Sequence, residues 1–263
     1  MEDIRTCFER YETKYLITRA QYEALKRGMA AYTAPDVHPR YTISNLYFDT
    51  PDYRLIRDSL EKPTYKEKLR LRSYGPVSEE QTVFLEMKKK MNGVVFKRRI
   101  DLPLREARAY LEEGLRPTAD NQICREIDWM RRCYDLSPVV FIGYDREAFS
   151  GTRDPELRIT FDTNIRWRTE ALDLSLSDRG ELLDLEGRIL LEVKFPGVCP
   201  FWLSRLLSEL GIRRTSISKY GEVYKRHLFC RPKAPAVTPI PARKADTGRK
   251  FLEKAASFAA VNF

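Results

Sequence analysis

The feature that most constrains this chain is a regular split of its strand-like segments into a charged side and an apolar side. Residues 66–72 show it most clearly, because every second residue is cationic and Leu69 and Leu71 lie between the cations. The four cations are Lys66, Lys68, Arg70 and Arg72. Successive side chains of a β-strand point to opposite faces of a sheet. The segment therefore predicts a strand with four cations on one face and leucines on the other.

The same split recurs in four other segments. These are residues 10–15, 84–90, 158–166 and 191–195. In three of them a glutamate lies two residues from a lysine on the same face; the pairs are Glu12 with Lys14, Glu86 with Lys88, and Glu192 with Lys194. On a single strand, a charged face is ordinarily a solvated face. Five such strands, in a chain whose amphipathic helices need apolar surface to cover, favour charged faces that turn inward instead.

Local patterns predict a fold that is mostly sheet. Four segments have apolar residues at helical spacing, and Thr18 is placed to cap the first of them. They are residues 19–32, 104–115, 121–133 and 201–210. Most of the rest alternates with a period of two, which predicts strands at 7–17, 43–48, 65–74, 82–90, 94–100, 139–149, 157–166, 171–177 and 189–195. Turn-like connections are typical of antiparallel hairpins. We predict an α+β fold, an antiparallel β-barrel tunnel of about eight strands with a few covering helices.

Net charge is informative only after the chain is divided. The 263 residues include 47 Lys and Arg against 38 Asp and Glu, a formal charge of +9. Residues 231–263 hold seven basic and two acidic residues and four prolines, so they account for +5 and leave +4 to the rest. We therefore predict a tunnel domain over residues 1–230 and a flexible, Pro-rich basic tail over 231–263. A short helix could form within the tail at about 247–260.

Several classes of chemistry are disfavoured by composition. The five cysteines are widely spaced without a C-x-x-C pair, and His38 and His227 are the only histidines. A disulfide framework, a zinc site and a Ser-His-Asp triad are therefore not expected. No apolar run is long enough for a membrane span, and Met1–Arg5 do not resemble a signal peptide. We expect a cytoplasmic protein without a transmembrane segment of its own.

A tunnel lined with lysine and arginine predicts an anionic ligand. Unpaired buried charges cost several kcal/mol each, so such an interior should be wet and should hold a polyanion. The carboxylates among the cations could form ion pairs, or could bind Mg²⁺ or Mn²⁺ together with phosphate oxygens. Nucleic acid is not the expected partner, because the cations do not form an exposed stripe with interleaved aromatic residues.

Seven short motifs, in order along the chain, resemble a known family. They are Phe8–Tyr15, Leu46–Thr50, Lys68–Arg72, Phe84–Lys88, Tyr144–Arg146, Leu191–Lys194 and Ser218–Tyr220. Over about residues 5–229 the chain resembles the polyphosphate polymerase domain of vacuolar transporter chaperone (VTC) proteins, which belong to the triphosphate tunnel metalloenzyme superfamily. The resemblance implies an enzyme that transfers the terminal phosphate of ATP onto a growing polyphosphate chain inside the tunnel.

The resemblance also implies roles for individual residues. Glu192 would bind the metal, Mn²⁺ or Mg²⁺, and Tyr144 and Ser218 would donate hydrogen bonds. The residues that would grip phosphates are Lys14, Arg70, Arg72, Lys88, Lys97, Arg146 and Lys219. Lys90 is a further candidate binding residue, at a position where the eukaryotic polymerase pattern has histidine. For the cations the alternative is a surface salt bridge, and Tyr144 could equally be a core aromatic residue. Asp49 is interpreted as a turn or capping residue.

Two departures from the family pattern keep other functions open. Hydrolytic members of the superfamily begin with E-x-E-x-K, whereas Arg10 replaces the first acidic residue here and leaves Glu12 and Lys14. The alternatives are an inorganic triphosphatase or nucleotide phosphohydrolase, and a polyphosphate-binding module without turnover. The membrane-spanning parts of the eukaryotic complexes have no counterpart in this sequence, so a separate membrane protein would have to supply any membrane coupling.

Overall fold

The computed structural model describes residues 10–61, 63–92, 94–118 and 121–229. The chain divides into two compact units, residues 1–229 and 230–263, and all described residues belong to the first. The predicted tail over 231–263 and its helix at about 247–260 lie outside the described residues, as do residues 7–9 of the first predicted strand.

The described residues form six α-helices, and the four predicted helices are among them. They are α1 (Arg19–Met29), α2 (Arg54–Leu60), α3 (Leu104–Arg108), α4 (Gln122–Cys133), α5 (Phe201–Glu209) and α6 (Lys219–Val223). Short π-helical turns, Ala109–Glu113 and Tyr224–Leu228, continue α3 and α6. Thr18 caps α1 as predicted, because its side chain accepts a hydrogen bond from the Gln21 amide and the Gln21 side chain accepts one from the Thr18 amide. Helices α2 and α6 were not predicted.

Ten strands form one antiparallel sheet within the described residues. They are β1 (Arg10–Ile17), β2 (Thr33–Asp49), β3 (Tyr65–Ser73), β4 (Thr82–Met91), β5 (Val94–Pro103), β6 (Ser137–Gly151), β7 (Arg158–Arg168), β8 (Glu181–Leu182), β9 (Ile189–Pro196) and β10 (Arg214–Thr215). The strand order is β10-β1-β9-β7-β6-β2-β3-β4-β5, and β8 pairs with β7. The expected antiparallel tunnel architecture is confirmed, with the difference that the described sheet does not close into a ring of hydrogen bonds.

The predicted strand at 171–177 is wrong. Ala171 has a φ of 49°, in the left-handed region that strand residues do not adopt. Arg168 instead fastens this segment as a loop, because its guanidinium donates hydrogen bonds to the backbone oxygens of Ala171 and Asp173. The apolar alternation that suggested a strand comes from Leu172 and Leu174, which pack against the core beside β2 and β3.

Most of the helices cover the outer face of the sheet. Helices α1 and α5 pack on apolar residues of β1, β7 and β9, such as Ile17, Phe161 and Leu191. Helices α3 and α4 pack on residues of β3, β4 and β5, such as Leu69 and Met87. Because side chains alternate along a strand, the charged residues between these apolar ones point to the inner face. The inward orientation predicted for the charged faces is thus observed, except at the end of the segment 158–166: an irregularity at Asn164 in β7 turns Ile165 to the inner cluster, and Arg166 pairs with Asp145 and Asp178 instead.

The inner face is apolar at one end and charged at the other. At the apolar end, Ile142 of β6 and Leu190 of β9 belong to one buried cluster with Tyr220 and Val223 of α6. On β6 and β9 the same inward face continues with Tyr144, and then with charged residues. Helix α6 therefore plugs one end of the curled sheet, and its first residue, Lys219, lies at the border of the charged end.

Candidate functional site

A cage of charged side chains lies on the inner face of the sheet. Its carboxylates are Glu12, Glu86, Asp162 and Glu192, and its cations are Lys14, Lys68, Arg70, Arg72, Lys88, Lys97, Arg146, Lys194 and Lys219. We call these thirteen residues the cage. Nine cations against four carboxylates give this set of described residues a formal charge of +5. Every predicted phosphate-gripping residue belongs to the cage, and so does the predicted metal ligand Glu192.

The centre of the cage is a network of two buried carboxylates and two buried cations. Arg146 binds Asp162 through two hydrogen bonds, Nε to Oδ1 at 2.6 Å and Nη2 to Oδ2 at 2.7 Å. Its Nη2 also reaches Glu192 Oε2 at 3.1 Å. The Lys219 ammonium lies 2.5 Å from Asp162 Oδ2 and 3.2 Å from Glu192 Oε1. These contacts link the start of α6 to three neighbouring strands, β6, β7 and β9.

The network fixes the charges of its members. Burial alone would raise the pKa of Glu192, but the charges of Lys219, Lys14 and Arg146 hold it well below its usual value. Burial alone would lower the pKa of Lys219, and the neighbouring Asp162 and Glu192 raise it instead. Glu192 therefore stays ionised and Lys219 stays protonated near neutral pH.

A second group of charges surrounds Glu86 on β3, β4 and β5. Arg70 Nη2 lies 2.6 Å from Glu86 Oε2, and Lys97 Nζ lies 2.7 Å from Oε1. Arg72 Nε lies 3.7 Å from the same carboxylate and donates a hydrogen bond to Asn45. Burial would raise the pKa of Glu86, but Arg70 and Arg72 lower it to about 2.

Tyr144 lies between the two groups of charges. Its ring has the Lys219 ammonium 4.2 Å and the Arg146 guanidinium 5.2 Å from its centroid. Its hydroxyl accepts a long hydrogen bond of 3.4 Å from Arg72. Burial would raise the pKa of this phenol, but Arg146, Arg72 and Lys219 lower it. Tyr144 is thus a buried aromatic residue that also contacts the polar site, and donation of a hydrogen bond to phosphate stays a prediction.

The other predicted residues lie around this centre. Lys14 bridges Glu12 at 3.2 Å and Glu192 at 3.4 Å. Lys88 is solvent-accessible, yet burial by surrounding protein lowers its pKa, as expected for a side chain that faces a water-filled interior. Lys90 follows two residues later, opposite Lys66. Ser218 caps α6 by accepting a hydrogen bond from the Gly221 amide.

Two of the three ion pairs suggested by the sequence are replaced by contacts across strands. Only Glu12 pairs with the lysine two residues along its own strand, Lys14. Glu86 binds cations of β3 and β5 in place of Lys88, and Glu192 binds Lys14, Arg146 and Lys219 in place of Lys194. Arg70 stands directly opposite Glu86, and Lys14 directly opposite Glu192, so these partners lie nearer than same-strand neighbours, which are about 7 Å apart along the strand.

Sequence reasoning missed one central residue, Asp162. It is fully buried and binds both Arg146 and Lys219. The alternation in residues 158–166 placed Asp162 on the charged side of its strand, but no motif gave it a role; a further signal was the aspartate itself, a residue type that is depleted in strands. Asp49, in contrast, is confirmed as a capping residue, because its carboxylate accepts hydrogen bonds from the amides of Leu55 and Ile56 at the start of α2.

The carboxylates of the cage fit a divalent cation only together with phosphate. Mg²⁺ and Mn²⁺ prefer carboxylate and phosphate oxygens, and Glu192 offers a carboxylate of this kind. Both of its oxygens are already bound by cations. In the described parts of the chain no group of three His, Cys, Asp or Glu residues is arranged to hold a metal ion. Glu192 can therefore supply one ligand, and a bound polyanion has to supply the others.

The fold and the cage define the class of this protein, an α+β protein whose antiparallel sheet carries a cationic cage on its inner face. The chain belongs to the VTC domain family, whose sequence pattern it matches over residues 9–227. The resemblance to this family proposed from the seven motifs is thereby confirmed. A search of the curated proteins finds no match.

Solved structures are similar to this chain at low sequence identity, and the first of them shares its fold. One, described as a putative adenylate cyclase from Bacillus halodurans, aligns with a TM-score of 0.50 and 15% identity over 82% of this chain and 96% of that chain. Another putative adenylate cyclase, from Vibrio parahaemolyticus, has a TM-score of 0.46 and 13% identity over 82% and 97%. These similarities concern the fold alone. Every helix within the described ranges is too short or too polar to serve as a membrane span.

Proposed function

We propose that this protein is a metal-dependent polyphosphate polymerase that transfers the terminal phosphate of ATP onto a polyphosphate chain held in the cage. The observation that carries the proposal is the excess of five positive charges in the cage, which lies on an inner face that is plugged at one end by α6. A linear anion with several phosphates matches such a face, because each phosphate can take one or two cations as partners. Family membership supports the same ligand class.

The arrangement of carboxylates favours transfer to a phosphate over transfer to water. Hydrolysis profits from a carboxylate that is free to take a proton from the attacking water. All four carboxylates of the cage are engaged by lysines or arginines, which leaves none of them placed as a base. A polyphosphate end is already anionic and needs no deprotonation. In the proposed step its oxygen attacks the γ-phosphorus, the bond between this phosphorus and the β–γ bridging oxygen breaks, and ADP leaves.

The cage residues would divide the work of positioning and charge stabilisation. Arg146 and Lys219 are held in place by Asp162 and would bind the oxygens of the transferring phosphoryl group. Arg70 and Arg72 would hold the neighbouring phosphates on the opposite wall, with Lys14, Lys88 and Lys97 around them. Glu192 would hold Mn²⁺ or Mg²⁺ against phosphate oxygens; the bound ion would neutralise charge that develops on them. Lys90 and Ser218 are proposed as additional binding groups.

The location of the reaction is part of the proposal. The protein would act in the cytoplasm on ATP, and a separate membrane protein would recruit it wherever the product has to cross a membrane. Absence of a spanning helix among the described residues is compatible with this arrangement.

The direct test is to incubate the purified protein with ATP and Mn²⁺ or Mg²⁺, and to follow both polyphosphate on a gel and orthophosphate release. We expect a polyphosphate ladder. Lys219→Ala and Lys88→Ala should lower its formation by about 100-fold, the cost of removing one charged group that stabilises the transition state. Lys225→Ala is the matched control, because Lys225 pairs with Glu222 on the exposed side of the final turn.

The two alternatives give different results in the same experiment. Orthophosphate release without chain growth would establish a triphosphatase or nucleotide phosphohydrolase. Tight binding of polyphosphate that is lost in the Arg70→Ala/Arg72→Ala double variant, without turnover in any metal, would establish a binding module. Thermal unfolding of each variant separates a lost contact from a lost fold.

A further inference from the structure

Lys68 and Lys88 are cage lysines without an ion pair among the described residues, and of the two only Lys68 has no carboxylate among the charges that act on it. Lys68 lies on the inner face of β3, two residues before Arg70, and its ammonium donates a hydrogen bond of 3.2 Å to the Ser218 hydroxyl. Among the described residues no carboxylate forms an ion pair with Lys68, whereas Lys14, Lys97 and Lys219 each have one. Neither the sequence motifs nor the family resemblance gave this residue a role.

The charges that face Lys68 have the same sign as its own. Lys88 stands directly opposite on β4, and Lys97 continues the row on β5. Lys14 of β1 and the strand neighbours Lys66 and Arg70 also repel it. Like charges that lie directly opposite one another destabilise a sheet. The fold thus holds an amine where nothing in the free protein compensates its charge.

We propose that Lys68 is a phosphate-binding residue of the cage and that it takes up one proton when a polyphosphate chain binds. The inference rests on the proposed function only in assigning a phosphate chain to the cage. Ser218, at the start of the helix that carries Lys219, holds the amine in position before the anion arrives.

The proton balance follows from the surroundings of the amine. Burial, with the charges of Lys14, Lys66 and Lys88, lowers the pKa of Lys68 to about 7. At pH 8 most Lys68 side chains of the free protein are therefore neutral, and the lone pair on nitrogen is free to accept a proton. A phosphate beside the amine favours the charged form and raises the pKa. One proton then moves from solvent to Lys68 for each chain bound.

The test measures binding without turnover. Isothermal titration calorimetry with inorganic tripolyphosphate, without metal and at pH 8, gives the dissociation constant. Its dependence on buffer ionisation enthalpy, in Tris and in HEPES, gives the number of protons taken up. We expect Lys68→Met to bind at least about tenfold more weakly than wild type, the value of one hydrogen bond to a charged group, and to take up about one proton fewer.

Two further variants sharpen the result. Lys89→Met removes the same charge from the outer face of β4, where Lys89 pairs with Glu126, and should match wild type in affinity and in proton uptake. Lys68→Arg keeps a permanent positive charge, since arginine does not lose its proton in proteins. It should bind within about threefold of wild type and should lack the extra proton.

Folding is checked separately by thermal unfolding of the free proteins. Lys68→Met should unfold at or above the wild-type temperature, because it removes a repelled cation. Wild-type affinity and proton uptake in Lys68→Met would overturn the inference while leaving the proposed function intact. Should Lys68→Met fail to fold, Lys68→Arg decides, and undiminished proton uptake in that variant overturns the inference. If tripolyphosphate binding depends on Lys68 but the protein makes no polyphosphate, the polymerase proposal alone is refuted.

Discussion

Single carboxylates in the cage carry charge where solvent hardly reaches. Glu86 is 2% exposed, yet two arginines and Lys97 surround it closely. Such a group stabilises the folded state only while it is ionised. The reason is linkage: a carboxylate whose pKa is lower in the folded protein than in the unfolded chain favours folding above the unfolded pKa and loses this effect as pH falls.

Glu86→Gln should therefore make the free energy of unfolding less dependent on pH in the acid range. The pKa of Glu86 is lowered from 4.5 to about 2, so by linkage the group contributes on the order of 3 kcal/mol at neutral pH. This stability should be lost as pH falls from about 5 to 2. Urea unfolding of wild type across that range should show the decline, and Glu86→Gln should be less stable at pH 7 with a shallower decline.

The control for this prediction is Glu80→Gln, because Glu80 forms an exposed ion pair with Arg105. Exposed pairs contribute at most about 1 kcal/mol, so this variant should follow the wild-type pH curve. An unchanged slope in Glu86→Gln would mean that Arg70, Arg72 and Lys97 do not hold the carboxylate ionised. Glu12 has the same sign of effect, since Lys14 and Lys88 oppose its burial and lower its pKa to about 2.

A site residue could be predicted from the residue pattern where that pattern lies within a single segment of the chain. Arg70, Arg72 and Lys88 were found from alternation along one strand, because strand geometry alone decides the face. The partners of Glu192 could not be found in this way, since Arg146 and Lys219 reach it from β6 and α6. Lys68 was visible in the same alternation as Arg70, but its lack of a carboxylate partner appears only in three dimensions.

At the level of elements, the short helices depend on tertiary contacts. Helix α2 has seven residues and α6 has five, too few to be stable alone. Asp49 connects them: its Oδ1 accepts a hydrogen bond from the Leu55 amide, and its Oδ2 accepts hydrogen bonds from the Ile56 amide and the Tyr220 hydroxyl. One buried carboxylate thus orients both the start of α2 and the helix that carries Lys219.

Asp49→Ala should disturb the fold and the cage together. It leaves two or more buried donors without an acceptor, which costs about 1–3 kcal/mol for each, so we expect the free energy of unfolding to fall by about 3 kcal/mol in urea titrations. Tripolyphosphate affinity should fall as well, because Tyr220 and the neighbouring Lys219 lose their anchor. Asp49→Asn, which keeps one acceptor oxygen, should fall between wild type and Asp49→Ala; equal stability of all three would contradict the capping role.

Element prediction succeeded where apolar periodicity was long enough. Helices α1 and α4, with eleven and twelve residues, showed clear stripes, and Thr18 marked the start of α1. Helices α2 and α6 are too short to show a period. The loop at 171–177 alternates like a strand, yet Arg168 hydrogen-bonds its backbone in another shape. Such contacts between distant residues cannot be read from local pattern.

At the scale of the whole molecule, folding assembles a repulsive interior. Two apolar clusters on the outer face and one around α6 hold the sheet in its curled form. This packing gathers the nine cations and four carboxylates of the cage on the inner face, beside further lysines such as Lys66 and Lys90, and the surplus of positive charge opposes it. An anion that enters the cage removes this opposition, so ligand binding and stability are coupled.

Salt should therefore act on the free and the bound protein in opposite directions. Raising NaCl from 0.05 to 0.5 M screens repulsion among the cage cations, since the Debye length falls below about 10 Å, and the unfolding temperature of the free protein should rise. Tripolyphosphate at about 100 times its dissociation constant should stabilise the protein by about 2.7 kcal/mol at low salt. At one fixed concentration of tripolyphosphate, this gain in stability should shrink as NaCl is raised, because salt weakens the binding of the anion. Arg70→Ala/Arg72→Ala should lose most of the gain, and sulfate at matched ionic strength should not reproduce it. A gain that is independent of salt, or equal in the double variant, would place the anion outside the cage.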